Sequence, residues 1–340
     1  MSGVEIQEYV ELADYNTMGV KAQARFFVEV SSETELEEIL TNPRFQSQSK
    51  MVIGGGSNIL FLHDFEGLVI YNQIMGKEIL SETEEEVLLK VGSGENWHQL
   101  VMYCVEQGWG GIENLSLIPG LAGAAPIQNI GAYGVELEEV FVKLDTLMIQ
   151  TTELRTFRKE DCDFGYRNSI FKNELKGKTI VTSITIRLKK KPDVNLSYKG
   201  LKEKITEKGI EFPTIRDVSE AVIEIRQSKL PDPAEIGNTG SFFKNPVISQ
   251  NKFQLLKEKH PGIPSYPVGD KKKVPAAWLI DQCGWKGKRF GDAGVHEMQA
   301  LVMVNYGNAS GEQIWNLAQK IQLSVKQKFG VELVPEVNVI

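Results

Sequence analysis

The stretch GNTGSFFKNP, residues 237–246, places a single hydroxyl, Ser241, between a flexible lead-in and two bulky aromatic residues. A serine hydroxyl can donate a proton or a hydrogen bond, and Lys244 and Asn245 follow shortly after it. Taken alone, the pattern is typical of a turn that feeds a short strand, with Gly240 at the bend and the phenylalanines in the core. Any chemistry at Ser241 therefore depends on the groups that the fold brings to it.

Two glycine-rich segments, GGGSN (54–58) and IPGLAGAAPIQNIGAYG (118–134), could bind a ligand. Neither contains G-x-G-x-x-G or G-x-x-x-x-G-K-[ST], so the usual nucleotide fingerprints are absent from the sequence. Glycines let backbone N–H groups approach a pyrophosphate and form an anion-binding nest, although such stretches are more often surface turns. The first segment lies between apolar strand-like runs, and the second carries no charge over its whole length. The second therefore predicts packing against a large flat ligand, with Gln128 and Asn129 as hydrogen-bonding groups.

The composition is that of an ordinary soluble globular protein with room for two or three domains. The chain has 340 residues, 41% hydrophobic and 24% charged, and a net charge of -7, which disfavours a nucleic-acid binder. Its three cysteines and four histidines are scattered, so we expect neither a disulfide framework nor a metal site. No signal peptide or membrane-spanning run is visible, and the expected location is the cytoplasm.

The first half of the chain predicts alternating strands and helices that would position these loops. RFFVEV (25–30) reads as a strand, followed by a helix that Ser31 or Ser32 could cap. Strands are expected on both sides of 54–58, and 179–188 alternates well enough for a half-buried strand. A helix is expected over NWHQLVMYCVEQG, with Gly108 at its end.

The second half predicts a helix over 216–233 that the prolines of SKLPDP end, which is also the best candidate domain boundary. A long helix is expected from Ser310 to Phe329, capped by Gly330, before a last strand over VELVPEVNVI.

The chain resembles a known family, the UDP-N-acetylenolpyruvoylglucosamine reductases, over almost its whole length. The long blocks are specific because so many positions agree in order. The matching segments are NTMGV (16–20), GGGSN (54–58), LSLIPGLAGAAPIQNIGAYGVEL (115–137), FGYRNSIFK (164–172), LSYKGL (196–201), SKLPDP (228–233), GNTGSFFKNP (237–246), LIDQCG.KG (279–287), QALVMVN (299–305) and PEV (335–337).

The resemblance implies an α/β (α+β) fold with an FAD-binding domain of the vanillyl-alcohol-oxidase type, made of two subdomains, and a C-terminal α/β substrate-binding domain. The implied divisions are a first subdomain over 1–75 joined by 330–340, a second over 76–230, and a UDP-sugar domain over 231–329. LSYKGL resembles the tyrosine-bearing loop of the family's longer subtype. The chain is expected to be a monomer.

The implied cofactor is FAD, with NADPH as co-substrate. Because no histidine lies within 54–58, non-covalent attachment is expected. The residues implied to bind FAD belong to the two glycine-rich segments. They are Gly54, Gly55, Gly56, Ser57, Asn58, Pro119, Gly123, Ala124, Ala125, Gln128, Asn129, Gly131, Ala132 and Tyr133.

The family's reaction reduces the enolpyruvyl ether of UDP-N-acetylglucosamine enolpyruvate to the lactyl ether of UDP-N-acetylmuramate, a step of peptidoglycan precursor synthesis. Hydride passes from NADPH to FAD and then to C3 of the substrate, and a proton must reach C2. The resemblance implies that Ser241 donates this proton, while Arg167 engages the substrate carboxylate through its planar fork. Glu336 is implied to help stabilise or protonate the enol form, which requires a raised pKa at some stage.

Five further residues are implied to bind the UDP-sugar. The segment that contains Tyr198 is polar and contains glycine, so we interpret it as a candidate mobile flap. Lys229 has a second interpretation as a cation at a helix C-terminus. The implied set is Tyr198, Lys229, Asn245, Lys286 and Gln299.

Two other functions stay open from the sequence. A different FAD oxidase or dehydrogenase on the same fold would explain the glycine-rich segments but not GYRNS, TGSFFKNP and PEV together. A UDP-sugar-binding or transferase protein without redox function would need no apolar segment at 118–134 and would purify colourless.

Overall fold

The computed structural model describes residues 4–340. The chain forms two compact units, each assembled from separate stretches of sequence. Unit 1 contains the residues up to Val10 together with Ala24–Gly55 and Phe65–Ser228. Unit 2 contains Glu11–Gln23, Gly56–Asp64 and Lys229–Ile340. The three-part domain division predicted from the sequence stays a prediction.

Both units mix strands and helices. The strands are β1 (Ile6–Glu11), β2 (Gln23–Val30), β3 (Lys50–Ile53), β4 (Ile59–Leu60), β5 (Phe65–Asn72), β6 (Lys77–Glu82), β7 (Glu86–Gly92), β8 (Gly131–Ala132), β9 (Val135–Glu136), β10 (Phe141–Met148), β11 (Leu154–Arg158), β12 (Thr179–Lys189), β13 (Gly237–Ser241), β14 (Val247–Ser249), β15 (Tyr266–Val268), β16 (Lys271–Lys273), β17 (Arg289–Phe290), β18 (Ala293–Val295), β19 (Val302–Asn305) and β20 (Asn338–Val339).

The α-helices are α1 (Glu33–Thr41), α2 (Trp97–Glu106), α3 (Lys199–Glu207), α4 (Ile215–Gln227), α5 (Gln250–Lys259), α6 (Ala276–Gln282) and α7 (Gly311–Phe329). Short 3₁₀ helices span Ala13–Tyr15, Pro43–Phe45, Glu113–Leu115, Ala122–Ala124, Pro126–Gln128, Leu137–Glu139, Lys159–Asp161 and Ile170–Lys172.

Unit 1 contains two sheets. The smaller has the strand order β1-β2-β5-β3, in which β5 is parallel to both β2 and β3. The larger is antiparallel and has the order β11-β10-β12-β7-β6. Helix α1 packs Leu36, Ile39 and Leu40 into an apolar cluster with residues of β2 and β5. The short helix forms there because the Ser32 hydroxyl accepts a hydrogen bond from the N–H of Glu35, as an N-cap does.

Several local predictions for unit 1 are confirmed. Strand β2 covers the predicted strand at 25–30, and Ser32 is the cap of α1. Helix α2 ends just before Gly108, whose φ of 78° provides the left-handed turn that was expected after it. The half-buried strand predicted at 179–188 is wrong in its exposure, because β12 lies between β10 and β7 and is buried continuously from Ile180 to Ile186.

Unit 2 contains a four-stranded sheet of order β13-β19-β18-β17 and a three-stranded sheet of order β14-β16-β15. Helix α7 begins after Ser310, whose hydroxyl accepts from the N–H of Gln313, and ends at Gly330 with a φ of 61°, as predicted. The helix predicted over 216–233 ends at Gln227, before the prolines. The continuous last strand is wrong, because only β20 forms a ladder, pairing with β4 in parallel.

Within residues 4–340, none of the helices has the length and apolar character that a membrane crossing requires.

We expect native-state alkylation to separate the three cysteines. Cys104 and Cys162 are fully buried, and burial raises the pKa of each thiol to about 12, so neither provides thiolate near neutral pH. Cys283 is partly exposed. Iodoacetamide should therefore label Cys283 first in the folded protein, and the other two only after denaturation, as peptide mass spectrometry can follow. Labelling of Cys104 or Cys162 as fast as Cys283 in the folded protein would contradict this packing.

Candidate active site

The two glycine-rich segments meet inside unit 1. A Cβ added to Gly54 would lie 2.9 Å from Cδ1 of Leu121, and one added to Gly55 would lie 3.2 Å from Cα of Gly120. A Cβ on Gly123 would come within 2.5 Å of Cβ of Ser93. The absence of a Cβ therefore helps the backbones to approach each other closely, and Gly123 leaves the least room for one.

A cleft of about 300 Å³ opens beside this contact. It is lined by small and apolar residues of unit 1, which is the character of sites that enclose a flat organic ligand. Residues from both glycine-rich segments line it, among them Gly54, Leu121, Gly123 and Ala124. Lys50 also lines the cleft, with its ammonium group donating to the carbonyl oxygen of Gln48 at 3.2 Å.

Backbone donors at the cleft come from the first segment. Among residues 4–340, the N–H groups of Gly54 and Gly55 donate to no protein acceptor. The N–H of Gly123 donates instead to the carbonyl of Ser93 at 2.9 Å, and that of Ala124 donates to the carbonyl of Leu121 at 3.0 Å. Two adjacent unused amides fit a phosphate group, so the residues present fit a dinucleotide cofactor.

The predicted cofactor residues of the second segment divide into two groups. Gly123 and Ala124 line the cleft, whereas Asn129 is fully buried and its side chain bonds within the protein. The amide oxygen of Gln128 accepts from Lys172 Nζ at 3.4 Å. Direct contacts of these side chains with a cofactor stay predictions. Within residues 4–340, no histidine or cysteine lines the cleft.

Arg167 lies at the tip of a tight hairpin in unit 1. Gly165 and Asn168 exchange two backbone hydrogen bonds of 3.1 and 3.0 Å, and Arg167 between them has a φ of 53°. This conformation favours glycine or asparagine in a turn, and a non-glycine residue there costs about 1–3 kcal/mol. The arginine side chain is only 17% exposed, and its guanidinium donates to the carbonyl of Gly131 and lies 3.8 Å from Oε1 of Glu136.

Arg226, on α4, is a functional candidate that the sequence reasoning missed. Its guanidinium lies near the phenol of Tyr133, and its Nε has no hydrogen-bond partner in the described part of the chain. Burial lowers the pKa of Arg226, and no carboxylate of residues 4–340 forms an ion pair with it. The helical spacing of Val218, Val222 and Arg226, four residues apart, was the available signal that this arginine lies on the buried face.

Tyr133 connects Arg226 to the predicted flap. It has a φ of 50°, burial raises the pKa of its phenol, and the Arg226 charge acts in the opposite direction. Its ring packs edge-on against Tyr198, with the ring centroids 5.1 Å apart. The side-chain amide of Asn114 donates to the carbonyls of Tyr133 and Asn195, at 2.9 Å each, and so ties the two segments together. Closure of the flap stays a prediction.

Unit 2 brings together the segments of Ser241 and Glu336. Ser241 is exposed at the end of β13, opposite Val302 of β19. Phe242 and Phe243 behind it are buried, as predicted, with their rings 5.1 Å apart. The N–H of Glu336 donates to the carbonyl of Phe242 at 2.8 Å, so the half-buried glutamate lies on the segment that runs beside Ser241.

Asn58 of the first glycine-rich segment also belongs to unit 2 and supports Glu336. Its side-chain amide donates to the carbonyl of Glu336 at 3.3 Å, and its own carbonyl accepts from both the N–H and the side chain of Asn338 at 3.0 Å. In the same segment, Gly56 has a φ of 58°, and a Cβ there would lie 1.9 Å from the carbonyl oxygen of Tyr15. Only glycine can therefore occupy this position.

The residues predicted to bind the UDP-sugar are mostly accessible. In unit 2, Lys229 and Lys286 are exposed, and Gln299 is partly buried with its Oε1 accepting from the N–H of Leu301. The Oδ1 of Asn245 accepts from the N–H of Ala276 at 2.8 Å, which leaves Nδ2 as the donor that could reach a ligand. The structure gives no direct test of these assignments. In residues 4–340, no three histidine, cysteine or acidic side chains are grouped so that they could hold a metal ion.

Comparison with known proteins identifies the two parts of the chain. Residues 24–156 match the family model described as FAD binding domain, and residues 232–340 match the one described as UDP-N-acetylenolpyruvoylglucosamine reductase, C-terminal domain. The UDP-N-acetylenolpyruvoylglucosamine reductases of Amoebophilus asiaticus and Flavobacterium johnsoniae are 51% and 47% identical to it, each over 99% of this chain and 100% of the relative.

Solved structures agree on the fold. The UDP-N-acetylenolpyruvylglucosamine reductase of Thermus caldophilus superposes with a TM-score of 0.69 at 24% identity, covering 99% of this chain and 98% of that one. A solvent-stable cholesterol oxidase superposes with a TM-score of 0.52 at 10% identity, covering 99% and 87%. The predicted fold, a vanillyl-alcohol-oxidase-type FAD-binding domain with a C-terminal domain, is confirmed.

The cleft and these matches define the class of protein as an FAD-containing oxidoreductase. Because these reductases match over their full length at about half identity, the chain belongs to the UDP-N-acetylenolpyruvoylglucosamine reductase family. The match to the FAD binding domain model confirms the predicted FAD, whereas NADPH as the co-substrate stays a prediction.

We expect Ala124→Phe to block the FAD cleft with little effect on the fold. Ala124 lines the cleft and is exposed, so a phenyl ring there would occupy space that the cofactor needs without disturbing the core. The FAD content after purification should fall, and the Kd for added FAD should rise about tenfold or more. The melting temperature of the apoprotein should stay close to that of the parent.

Ala234→Phe, at an exposed position of unit 2, is the matched control and should retain full FAD. Full FAD loading of Ala124→Phe would show that the cofactor lies elsewhere.

Proposed function

We propose that this protein reduces UDP-N-acetylglucosamine enolpyruvate to UDP-N-acetylmuramate with NADPH, in the synthesis of peptidoglycan precursors. The observation that carries the proposal is the backbone pairing of the Glu336 segment with the strand of Ser241. It provides a hydroxyl and a carboxyl group on neighbouring segments of one unit, as protonation of a carbon next to a carboxylate requires. The family relationship supports the substrate.

When bound, FAD supplies the hydride chemistry, taking a hydride from NADPH and giving it to C3 of the enolpyruvyl group. The residues that would hold it are those of the cleft, with the N–H groups of Gly54 and Gly55 as donors to a phosphate. The chain's own task is to bind the substrate carboxylate, to stabilise the charge that develops on it, and to bring one proton to C2.

Arg167 is proposed to bind the substrate carboxylate. After C3 has gained a hydride, an electron pair remains at C2 and is delocalised into the carboxylate, where a guanidinium stabilises it. The planar fork of arginine can meet both carboxylate oxygens, whereas a lysine ammonium would act only as a point charge. The hairpin of residues 165–168 supports this assignment, because it holds an arginine in a backbone conformation that favours glycine.

Ser241 is proposed to donate the proton to C2, which completes the lactyl ether. Its exposed hydroxyl can regain a proton from solvent, so the enzyme returns to its starting state. Glu336 is proposed to stabilise or protonate the enol form beside it. The contacts with the UDP moiety are assigned to Tyr198, Lys229, Asn245, Lys286 and Gln299, as the resemblance implies.

The nucleotide-linked substrate and the nicotinamide reductant make the cytoplasm the expected place of action. We also propose that the protein acts as a monomer.

The purified protein should be yellow, and anaerobic NADPH should bleach it. UDP-N-acetylglucosamine enolpyruvate should then restore the colour, because it accepts the hydride. UDP-N-acetylglucosamine, which lacks the enolpyruvyl group, is the control and should leave the protein bleached. A colourless protein would favour a binding protein without redox function. A yellow protein that the enolpyruvyl substrate does not recolour would favour another FAD oxidase or dehydrogenase.

We expect Ser241→Ala to separate the two halves of the reaction. Bound FAD and its reduction by NADPH should be unchanged, whereas reoxidation by the enolpyruvyl substrate should slow by roughly 10²–10⁴-fold, since a positioned acid contributes about that much. Stopped-flow absorbance measures both steps. Ser324→Ala, on α7 of the same unit, is the control and should reoxidise normally. Unchanged reoxidation of Ser241→Ala would remove the serine from the mechanism.

A further inference from the structure

Glu136 lies within ion-pair distance of the guanidinium of Arg167, which also donates to a backbone carbonyl. Oε1 of Glu136 lies 3.8 Å from Nη1 of Arg167, and both side chains are largely buried, with 30% and 17% of their surface exposed. Gly131 is the direct partner of Glu136 in the β8–β9 pair, and its carbonyl accepts from Nη2 of Arg167. The paired strands β8 and β9 thus place one carbonyl and one carboxylate beside the guanidinium.

Asn129 holds both Glu136 and the hairpin that carries Arg167. Its side chain is fully buried, and Nδ2 donates to Oε2 of Glu136 at 3.1 Å and to the carbonyl of Gly165 at 3.3 Å. The same Nδ2 lies 3.3 Å from Oε1 of Glu138, and Oδ1 accepts from the N–H of Glu138 at 3.0 Å. Because Gly165 begins the Arg167 hairpin, one buried amide links the carboxylate to the backbone of the arginine.

The Glu136 side chain also caps the 3₁₀ helix Leu137–Glu139, but that role does not account for its pairing with Arg167. A partly exposed ion pair contributes about 0–1 kcal/mol, whereas a non-glycine residue at positive φ costs about 1–3 kcal/mol. Arg167 has a φ of 53° and carries that cost, whereas Asn129, at 45°, is a residue type that tolerates this conformation. Strained backbone supported by buried hydrogen bonds is typical of groups that are held ready for a ligand.

We propose that Glu136 is a positioning residue for Arg167, fixing the plane and direction of the guanidinium that receives the substrate carboxylate. Asn129 in turn fixes Glu136. The inference rests on the proposed role of Arg167 and adds the residues that hold it. The carboxylate of Glu136 and the carbonyl of Gly131 fix one edge of the guanidinium, so the arginine does not have to be ordered when the substrate binds.

Glu136→Gln tests the inference in the FAD-loaded enzyme. Glutamine has the same shape and can still accept from Asn129, but it carries no charge to hold Arg167. FAD content and flavin reduction by NADPH should stay within about twofold of the parent. The Kd of the oxidised enzyme for the enolpyruvyl substrate, measured by calorimetry, should weaken and reoxidation should slow, together by about tenfold to a hundredfold. Glu174→Gln, an exposed carboxylate of the same unit, is the control and should change neither.

A double-mutant cycle with Arg167→Met separates positioning from a general structural role. If Glu136 acts through Arg167, Glu136→Gln should have no further effect once the arginine is gone. An equal loss in both backgrounds would overturn the inference, as would normal substrate binding and reoxidation of Glu136→Gln. If Glu136→Gln folds poorly, Glu136→Asp, which keeps the charge and shortens its reach, should show a smaller loss in the same two measurements, and no loss would overturn the inference.

Arg167→Met by itself distinguishes this inference from the proposed function. If Arg167→Met binds and reduces the substrate normally, the Arg167 assignment and the inference both fail, while the reductase activity stands. If Arg167→Met is impaired and Glu136→Gln is not, only the inference fails.

Discussion

The hydrogen bond from the N–H of Glu336 to the carbonyl of Phe242 is the constraint on which the arrangement of unit 2 depends. It brings the end of the chain beside the strand of Ser241, almost a hundred residues earlier. The buried pair Phe242 and Phe243 holds one partner, and Asn58 holds the other through the carbonyl of Glu336. Without this link, a serine at a strand end and an acidic residue near the C-terminus would have no common chemistry. With it, a hydroxyl and a carboxyl group lie on neighbouring segments.

Unit 1 depends on a different constraint, the close approach of backbones that glycine permits. Gly54 and Gly55 pack against Leu121 and Gly120, and the cleft that is the candidate FAD site opens beside this contact. The same region holds non-glycine residues, Asn129, Tyr133 and Arg167, at positive φ. Glycines thus let the backbones approach closely, while polar residues at positive φ lie in the same region. The hydrogen bonds of the buried Asn129 side chain offset part of the cost of that strain.

Local chemistry made much of this predictable from the sequence. The caps at Ser32 and Ser310, the end of α7 at Gly330 and the glycine-rich segments all follow from residue type and spacing. What the sequence could not reveal depends on distant partners. The continuous burial of β12 arises because β10 and β7 flank it. The shortness of β20 follows from its pairing with the two-residue strand β4. Neither partner can be identified from the local sequence. The inward-facing cation of Arg226 and the contact of Asn129 with Glu136 likewise appear only when separate segments meet.

The central claim is that this protein uses the hydride of NADPH to convert the enolpyruvyl ether of a nucleotide sugar into a lactyl ether. The most direct test is a single anaerobic turnover, in which enzyme reduced by one equivalent of NADPH is mixed with excess UDP-N-acetylglucosamine enolpyruvate and the products are quantified by mass spectrometry. We predict one UDP-N-acetylmuramate formed for each flavin that regains its yellow colour. Reoxidation without that product, or a flavin that stays bleached in the presence of the substrate, would contradict the account.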